Sequence, residues 1–217
     1  MPPRNISYSQ VSCYAKCPYQ FYLKYVLGEK EPIKSPALEL GSKVHDMIAK
    51  GMFVSSDPTE QTMLTNAKKF LDSMPSGGIS ETSFNDPHNP GRFYGSVCGQ
   101  SAVAVFDVYW EPEVSTGCDF KSGKFYSSYT DQFEMQCYFL NETFKQKYDQ
   151  NLKKFHFLFL RDGSVYSPKL LTEDKIKNKT EKAIKKVLFG ISEGNYEKKC
   201  SSFCNYCGMN TICALGL

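Results

Sequence analysis

Asp107, in AVFDVYW, and the pair Asp119 and Lys121, in GCDFKSG, are the residues of this 217-residue chain best placed to do chemistry together. On a strand, successive side chains alternate faces, so Asp119 and Lys121 share one side while Phe120 turns into the core. A hairpin between the two segments can bring Asp107 beside Asp119. The set then offers oxygen ligands for Mg²⁺ or Mn²⁺ and a positive or proton-handling group near a water, which is what phosphodiester cleavage requires. An isolated D-x-K on a strand is more often a solvated surface pair. Its company lifts this one. His45 lies in GSKVH on an expected helix, and Gln132 and Gln136 stand one turn apart on the helix after D-x-K, projecting from one side. Taken singly, these are a packed histidine and two solvated glutamines. The ordered set of helix with His, strand with Asp, strand with D-x-K and helix with Gln is a joint condition that chance rarely meets.

A second group sits at the C-terminal end, where KKCSSFCNYCGMNTIC holds Cys200, Cys204, Cys207 and Cys213. The segment is polar and contains glycine, so packing does not explain four clustered thiols; their spacing is that of a metal site. Four thiolates suit a structural zinc and equally a 4Fe–4S cluster. Cys13, Cys98, Cys118 and Cys137 read as ordinary core or strand cysteines.

These residues need elements to hold them. Apolar and aromatic spacing from Ser7 to Val26, broken at Cys17-Pro18, predicts two short helices, with Pro18 in the first turn of the second. A further helix is expected from Ala37 through GSKVHDMIAKG, and another over Glu60 to Met74. Residues 74 to 94, rich in Gly, Pro, Ser and Asn, read as a long surface loop of lid or substrate-guiding type. The runs VCGQSAVAVFDVYW and EVSTGCDFKSG, separated by Glu111-Pro112-Glu113, predict a hairpin. Tyr129 to Tyr148 predicts a helix with a core stripe at Phe133, Cys137, Leu140 and Phe144, followed by a strand in KKFHFLFLRDGSVYS and a lysine-rich helix over Thr172 to Glu193.

With those segments in place, the chain resembles the RecB-like branch of the PD-(D/E)XK nuclease superfamily over nearly its whole length. ISYSQVSCYAKCPYQFYLKYV is similar to that branch's opening helix with its CP-x-x-F/Y-x-L-x-Y signature, GSKVH to its G-x-x-x-H, and AVFDVYW and GCDFKSG to its second and third motifs. The helix from Thr130 resembles its Gln-containing helix. The resemblance implies an α/β fold of restriction-endonuclease type: a mixed central sheet flanked by helices, with a helical N-terminal region and a C-terminal metal-cluster clasp. It implies that His45, Asp107, Asp119 and the backbone carbonyl of Phe120 coordinate the divalent ion, and that Lys121 positions or activates the water. Two departures stand out. The family places Tyr four residues after its Gln, whereas here Gln132 is followed by Gln136, Gln136 by Leu140, and only Glu134 by a Tyr, Tyr138; Val105 occupies a place where small residues are common. Cluster-bearing members, among them subunits of bacterial helicase-nucleases and nucleases of CRISPR adaptation, end in C-x-x-C-x5-C and add one distant N-terminal cysteine. Cys204, Cys207 and Cys213 match that spacing and Cys17 the distant place, which implies a 4Fe–4S cluster with Cys200 spare; the local reading keeps zinc on Cys200, Cys204, Cys207 and Cys213.

The remaining properties bound the function without naming it. The length suits one domain over residues 1–217, with a helical part to 73, a sheet core over 94–171 and a cysteine segment from 198. A net charge of +3 permits a polyanionic partner without demanding one. No run approaches the ~20 apolar residues of a membrane helix, and MPPRNISYSQ lacks the apolar centre of a secretory signal. Those absences and the odd cysteine count lead to the expectation of a soluble, intracellular protein with no membrane partner, in a reducing compartment. Aromatic and basic residues near the N-terminus and Lys175 to Lys186 could serve a DNA strand, although such residues are more often core and solvated face. The expected activity is a metal-dependent exonuclease on single-stranded or frayed DNA ends, serving recombination, repair or phage replication. The rivals are an endonuclease of the same fold and a catalytically idle DNA-binding or assembly module.

Overall fold

The computed structural model describes residues 4–32, 35–81, 88–111, 113–169 and 174–214. The expected turn at Pro112, the middle of the 74–94 loop, the first residues of the expected 172–193 helix and the last three residues of the cysteine segment lie outside them.

The N-terminal part is helical. Ser7 caps α1 (Tyr8–Lys16): its hydroxyl accepts from the Gln10 N–H while the Gln10 side chain accepts from the Ser7 N–H, a reciprocal capping box. Cys17 adopts an extended backbone and Pro18 opens α2 (Pro18–Phe21), which runs into a π-helical turn, Tyr22–Val26. After α3 (Pro36–Ala49) and α4 (Pro58–Ser73), both capped and both with proline in the first turn, the chain enters its strands.

A five-stranded mixed sheet forms the centre, in the order β1 (Ile79–Ser80), β4 (Val108–Trp110), β5 (Thr116–Lys121), β6 (Lys154–Phe159), β7 (Ser164–Tyr166). Only β5 and β6 are parallel, joined through α5 (Thr130–Tyr148); the other neighbours are antiparallel. Helices α3 and α4 cover one face, where Val44, Ile48, Met63 and Leu64 meet Val108, Cys118, Phe120 and Leu158. Helix α5 covers the other, where Phe133, Cys137, Leu140 and Phe144 meet Tyr109, Phe155, Phe157 and Phe159. The fold is thus the expected mixed sheet between helices. A third core joins α1 to α6 (Asp174–Ser192) through Val11, Tyr14, Phe21, Ile184 and Val187. The chain ends in a 3-10 turn, Ser202–Tyr206, and α7 (Asn210–Ala214).

Several expectations need correction. VCGQSAVAVFDVYW is not one strand. Its first residue ends β2 (Arg92–Val97), Cys98 and Gly99 turn with positive φ, and β3 (Gln100–Val105) pairs with β2 as a separate ribbon before the chain breaks at Phe106-Asp107 and starts β4. Both turn residues being left-handed matches the twist a two-residue hairpin needs. Cys98 is therefore a half-buried turn residue, off the strands but packed against the third core. Likewise KKFHFLFLRDGSVYS is a hairpin, β6 to β7, reversing at Asp162-Gly163 with Gly163 at φ 71°. Continuous apolar character hides such breaks, because strands on both sides of a turn are equally apolar. The segment expected to be loop to residue 94 contains β1 and the start of β2.

Candidate active site

Strand β5 presents Asp119 and Lys121 on the side opposite Cys118 and Phe120, as its two-residue period requires. The pairing of β4 with β5 sets Val108 against Cys118, so the next residues outward, Asp107 and Asp119, fall side by side. The pairing of β1 with β4 sets Ser80 against Val108, which carries Glu81 to the flank of Asp107, and the Glu81 N–H donates to the Asp107 carbonyl at 2.9 Å. Three carboxylates from neighbouring strands thus lie at one level across the sheet. The indole of Trp110, donating to the Pro75 carbonyl at 2.7 Å, ties down the approach to β1 and hence to Glu81.

Around Asp107 the contacts are dense. Its carboxylate accepts the Phe120 N–H and lies 3.6 Å from His45 Nδ1 on α3. Ligand atoms of His45, Glu81 and Asp107 all fall within 4.8 Å of one another. Asp119 stands outside that triplet and faces Lys121 and Gln136. Its Oδ1 accepts from Gln136 Nε2 at 2.6 Å, its Oδ2 lies 2.7 Å from Lys121 Nζ, and Lys121 donates to Gln136 Oε1 at 3.1 Å. Gln136 therefore holds both members of the D-x-K pair. Gln132, one turn earlier, does not line the cleft.

The electrostatics follow from crowding. Burial and the neighbouring Asp107 charge raise the Glu81 carboxyl to about 7. Burial would lower the His45 imidazole, but Asp107, with Asp119 and Glu81 beyond, outweighs it and raises His45 to about 9. Burial works against ionised Asp107, yet His45, the Phe120 N–H and Lys121 hold its carboxyl below the usual range. Asp119, 7% exposed, is pushed up by burial against the pull of Lys121. Its Oδ2 is buried and, despite the nearby ammonium, makes no hydrogen bond of good geometry. Closely packed carboxylates and an imidazole form a donor set that fits a divalent cation.

The group opens into a cleft of about 980 Å³. Glu81, Asp107, Asp119, Lys121 and Gln136 line one part of it; Arg4, Lys24 and Arg92, with Tyr8, Tyr25 and Tyr94, line the rest. Burial lifts the Tyr8 hydroxyl to about 12, with the Ser12 side chain opposing and Asp119 adding to the rise.

Sequence reading missed Glu81. It lies directly after a two-residue strand within what reads as loop, so no periodicity marks it; its one signal is the acidic side chain following Ile79-Ser80.

At the far end of α1, Cys17 meets the C-terminal cysteines. A cavity of about 200 Å³ is lined by Cys17, Cys200, Cys204, Cys207 and Cys213, with Lys16, Lys198 and Lys199 at its edge. Cys200 is exposed and the other four are half-buried. The Ser201 N–H points at Cys204 Sγ, 3.4 Å away. Burial, with Lys24 opposing and Cys17 and Cys207 adding, lifts the Cys13 thiol to about 11, so this cysteine neighbours the group without lining the cavity. Cys118 and Cys137 are buried in the core.

A family model of the PD-(D/E)XK nuclease superfamily matches residues 5–78. The matched stretch holds α1 to α4, including His45 and Cys17, and stops before Glu81, Asp107, Asp119 and Lys121. No curated protein matches the chain.

Proposed function

We propose that this protein is a divalent-metal-dependent deoxyribonuclease, and that it digests single-stranded or frayed DNA from its ends. The carrying observation is the line Glu81, Asp107, Asp119 across three adjacent strands, with His45 above it and Lys121 and Gln136 beside it, in a cleft lined by cations and tyrosines. The superfamily match over the N-terminal helices supports the same reading.

His45, Glu81, Asp107 and Asp119, with the Phe120 carbonyl, would hold Mg²⁺ or Mn²⁺. When bound, that ion supplies Lewis-acid polarisation of the phosphate and an acidified water. Lys121, 2.7 Å from Asp119, orients the attacking water and offsets charge growing on the phosphate. Gln136 keeps Asp119 and Lys121 in register, while Gln132, one turn earlier on the same helix, does not line the cleft. Arg4 and Arg92 neutralise the backbone of the strand, while Lys24, on the same cleft wall, is ion-paired with Glu31 at 2.7 Å. Tyr8, Tyr25 and Tyr94 favour a single strand, because a ring can stack only on a base whose face is not already covered by its neighbours in a duplex.

The cysteine cavity is read as the seat of a 4Fe–4S cluster on Cys17, Cys204, Cys207 and Cys213. Its rim of lysines suits an anionic cluster. Zinc, with Cys200 as a ligand, is the second reading. The chain then works as one domain in a reducing, intracellular compartment, in recombination, repair or phage replication.

Digestion of linear and closed-circular DNA with Mg²⁺ or Mn²⁺ tests the activity. Degradation of the linear form alone is expected. Cutting of the circle means an endonuclease, and loss of neither, by protein with its clasp loaded, means an idle binding module.

A further inference from the structure

The lysines of α6 lie outside the cleft and take no part in the site. The helix carries six lysines against two acidic residues, a surplus of four positive charges where the whole chain has a surplus of three. The chain's positive charge is therefore concentrated on one element. Its buried face is Ile176, Thr180, Ile184 and Val187. Lys175, Lys179, Lys182 and Lys186, at spacings of four, three and four, form a separate stripe along the helix. The stripe starts beside α5, the helix that carries Gln136, because Lys179 forms an ion pair with Asp131 in its first turn.

Along the chain, between Lys121 and Asp131, comes an exposed aromatic pair. Phe125 is anchored against Phe133, Phe159 and Tyr166, yet Tyr126 and Tyr129 on the same segment turn outward, 57% and 37% exposed. Their rings stand 5.9 Å apart and at 88°. Following the chain, the cleft residue Lys121 leads to Tyr126, then Tyr129, then Asp131 and across to Lys179. Outward aromatics followed by a row of cations is the composition that holds single-stranded nucleic acid, bases on the rings and phosphates on the ammonium groups.

We infer that Tyr126, Tyr129 and the stripe Lys175, Lys179, Lys182, Lys186 form a track that holds the nucleic-acid strand beyond the cleft. The inference rests on the nuclease reading for the direction of the strand, but binding tests it separately from cleavage. The track makes long strands bind better than short ones and keeps the substrate attached between cuts.

The experiment measures fluorescence anisotropy of labelled oligothymidylates of about 8 and about 30 nucleotides, lengths chosen to fill one binding site or several. Full-length protein is used with its divalent ion chelated. Wild type is compared with Tyr126→Ala/Tyr129→Ala and with Lys175→Glu/Lys182→Glu/Lys186→Glu; a Lys→Gln version and the thermal midpoint of each variant guard against misfolding. The expected result is a five- to ten-fold (order of magnitude) loss of affinity for the long strand only, with the salt slope of the lysine variant reduced by about 2, since three phosphate contacts are lost. Unchanged long-strand affinity and slope would overturn the track. So would equal loss on both lengths, equal wild-type affinity for both, or competition by polyglutamate as effective as by the oligonucleotide. If wild type cleaves neither DNA form with Mg²⁺ or Mn²⁺ while the length-dependent loss persists, the nuclease reading fails and the track stands.

Discussion

Glu81 and His45 hold protons more tightly than free side chains do, Glu81 through burial and the Asp107 charge, His45 because Asp107, with Asp119 and Glu81 beyond, outweighs its burial. A cation must displace those protons, so its affinity rises with pH: Glu81 ionises through about 7 and His45 becomes neutral through about 9. Calorimetric titration with Mn²⁺ from about pH 6 to about pH 9 should show tightening and proton release. Affinity independent of pH would remove these two groups from the ligand set. Asp119 gives a second prediction. Burial and the neighbouring Asp107 charge disfavour the ionised form against the pull of Lys121, so Asp119→Asn should abolish cleavage while the thermal midpoint holds or rises, as when a functional site is relieved of charge. A large fall in the midpoint would mean that Asp119 serves the fold. Gln136 touches both Asp119 and Lys121 without belonging to the ligand triplet, so Gln136→Ala should cost about 10–100-fold in activity, the range for residues that orient ligands. Activity near wild type would show that the D-x-K pair needs no support.

Among the elements, β5 carries Asp119 and Lys121 of the candidate site, and it is held from both sides. Cys118 and Phe120 lie on the α3 and α4 side, and Gly117 sits where a Cβ would come 2.7 Å from Phe106 and 2.8 Å from Phe155. Both rings are fully buried and cannot retreat. Gly117→Ala should therefore cost roughly 1–3 kcal/mol through overpacking, read as a lower urea midpoint, and disturb Asp119 two residues on. A variant as stable as wild type would show that the sheet can shift to make room. Helix α1 is the second decisive element. Its capping box sets its start, Tyr8 in its first turn lines the cleft, and Cys17 at its C-terminal cap lines the cysteine cavity.

At the scale of the molecule, the meeting of Cys17 with Cys204, Cys207 and Cys213 joins the two ends of the chain, assisted by Tyr14 donating to the Asn195 carbonyl and Tyr22 stacking on Tyr196. A ligand bridging them closes a loop of nearly the whole sequence, restricting the unfolded chain and linking folding to the metal. Cys207→Ser should lower the thermal midpoint and remove the brown absorbance and iron expected of the wild type. A colourless, zinc-loaded wild type would replace the iron reading with the zinc one. No helix among the described residues is long and apolar enough to cross a membrane.

Local periodicity makes legible in the residues whatever repeats within one element. Asp119 and Lys121 share a face because strands alternate, the α5 stripe Phe133, Cys137, Leu140 and Phe144 is buried because helices turn every 3.6 residues, and the cysteine spacing marks a clustered thiol group. What crosses between elements emerges in the folded chain alone: the break at Phe106-Asp107, the arrival of Glu81 beside Asp107, the contact of Gln136 rather than Gln132 with the D-x-K pair, and the approach of Cys17 to the C-terminal cysteines. The reason is physical. Periodicity constrains neighbours within one element, whereas sheet order and helix packing bring together residues whose separation along the chain carries no such signal.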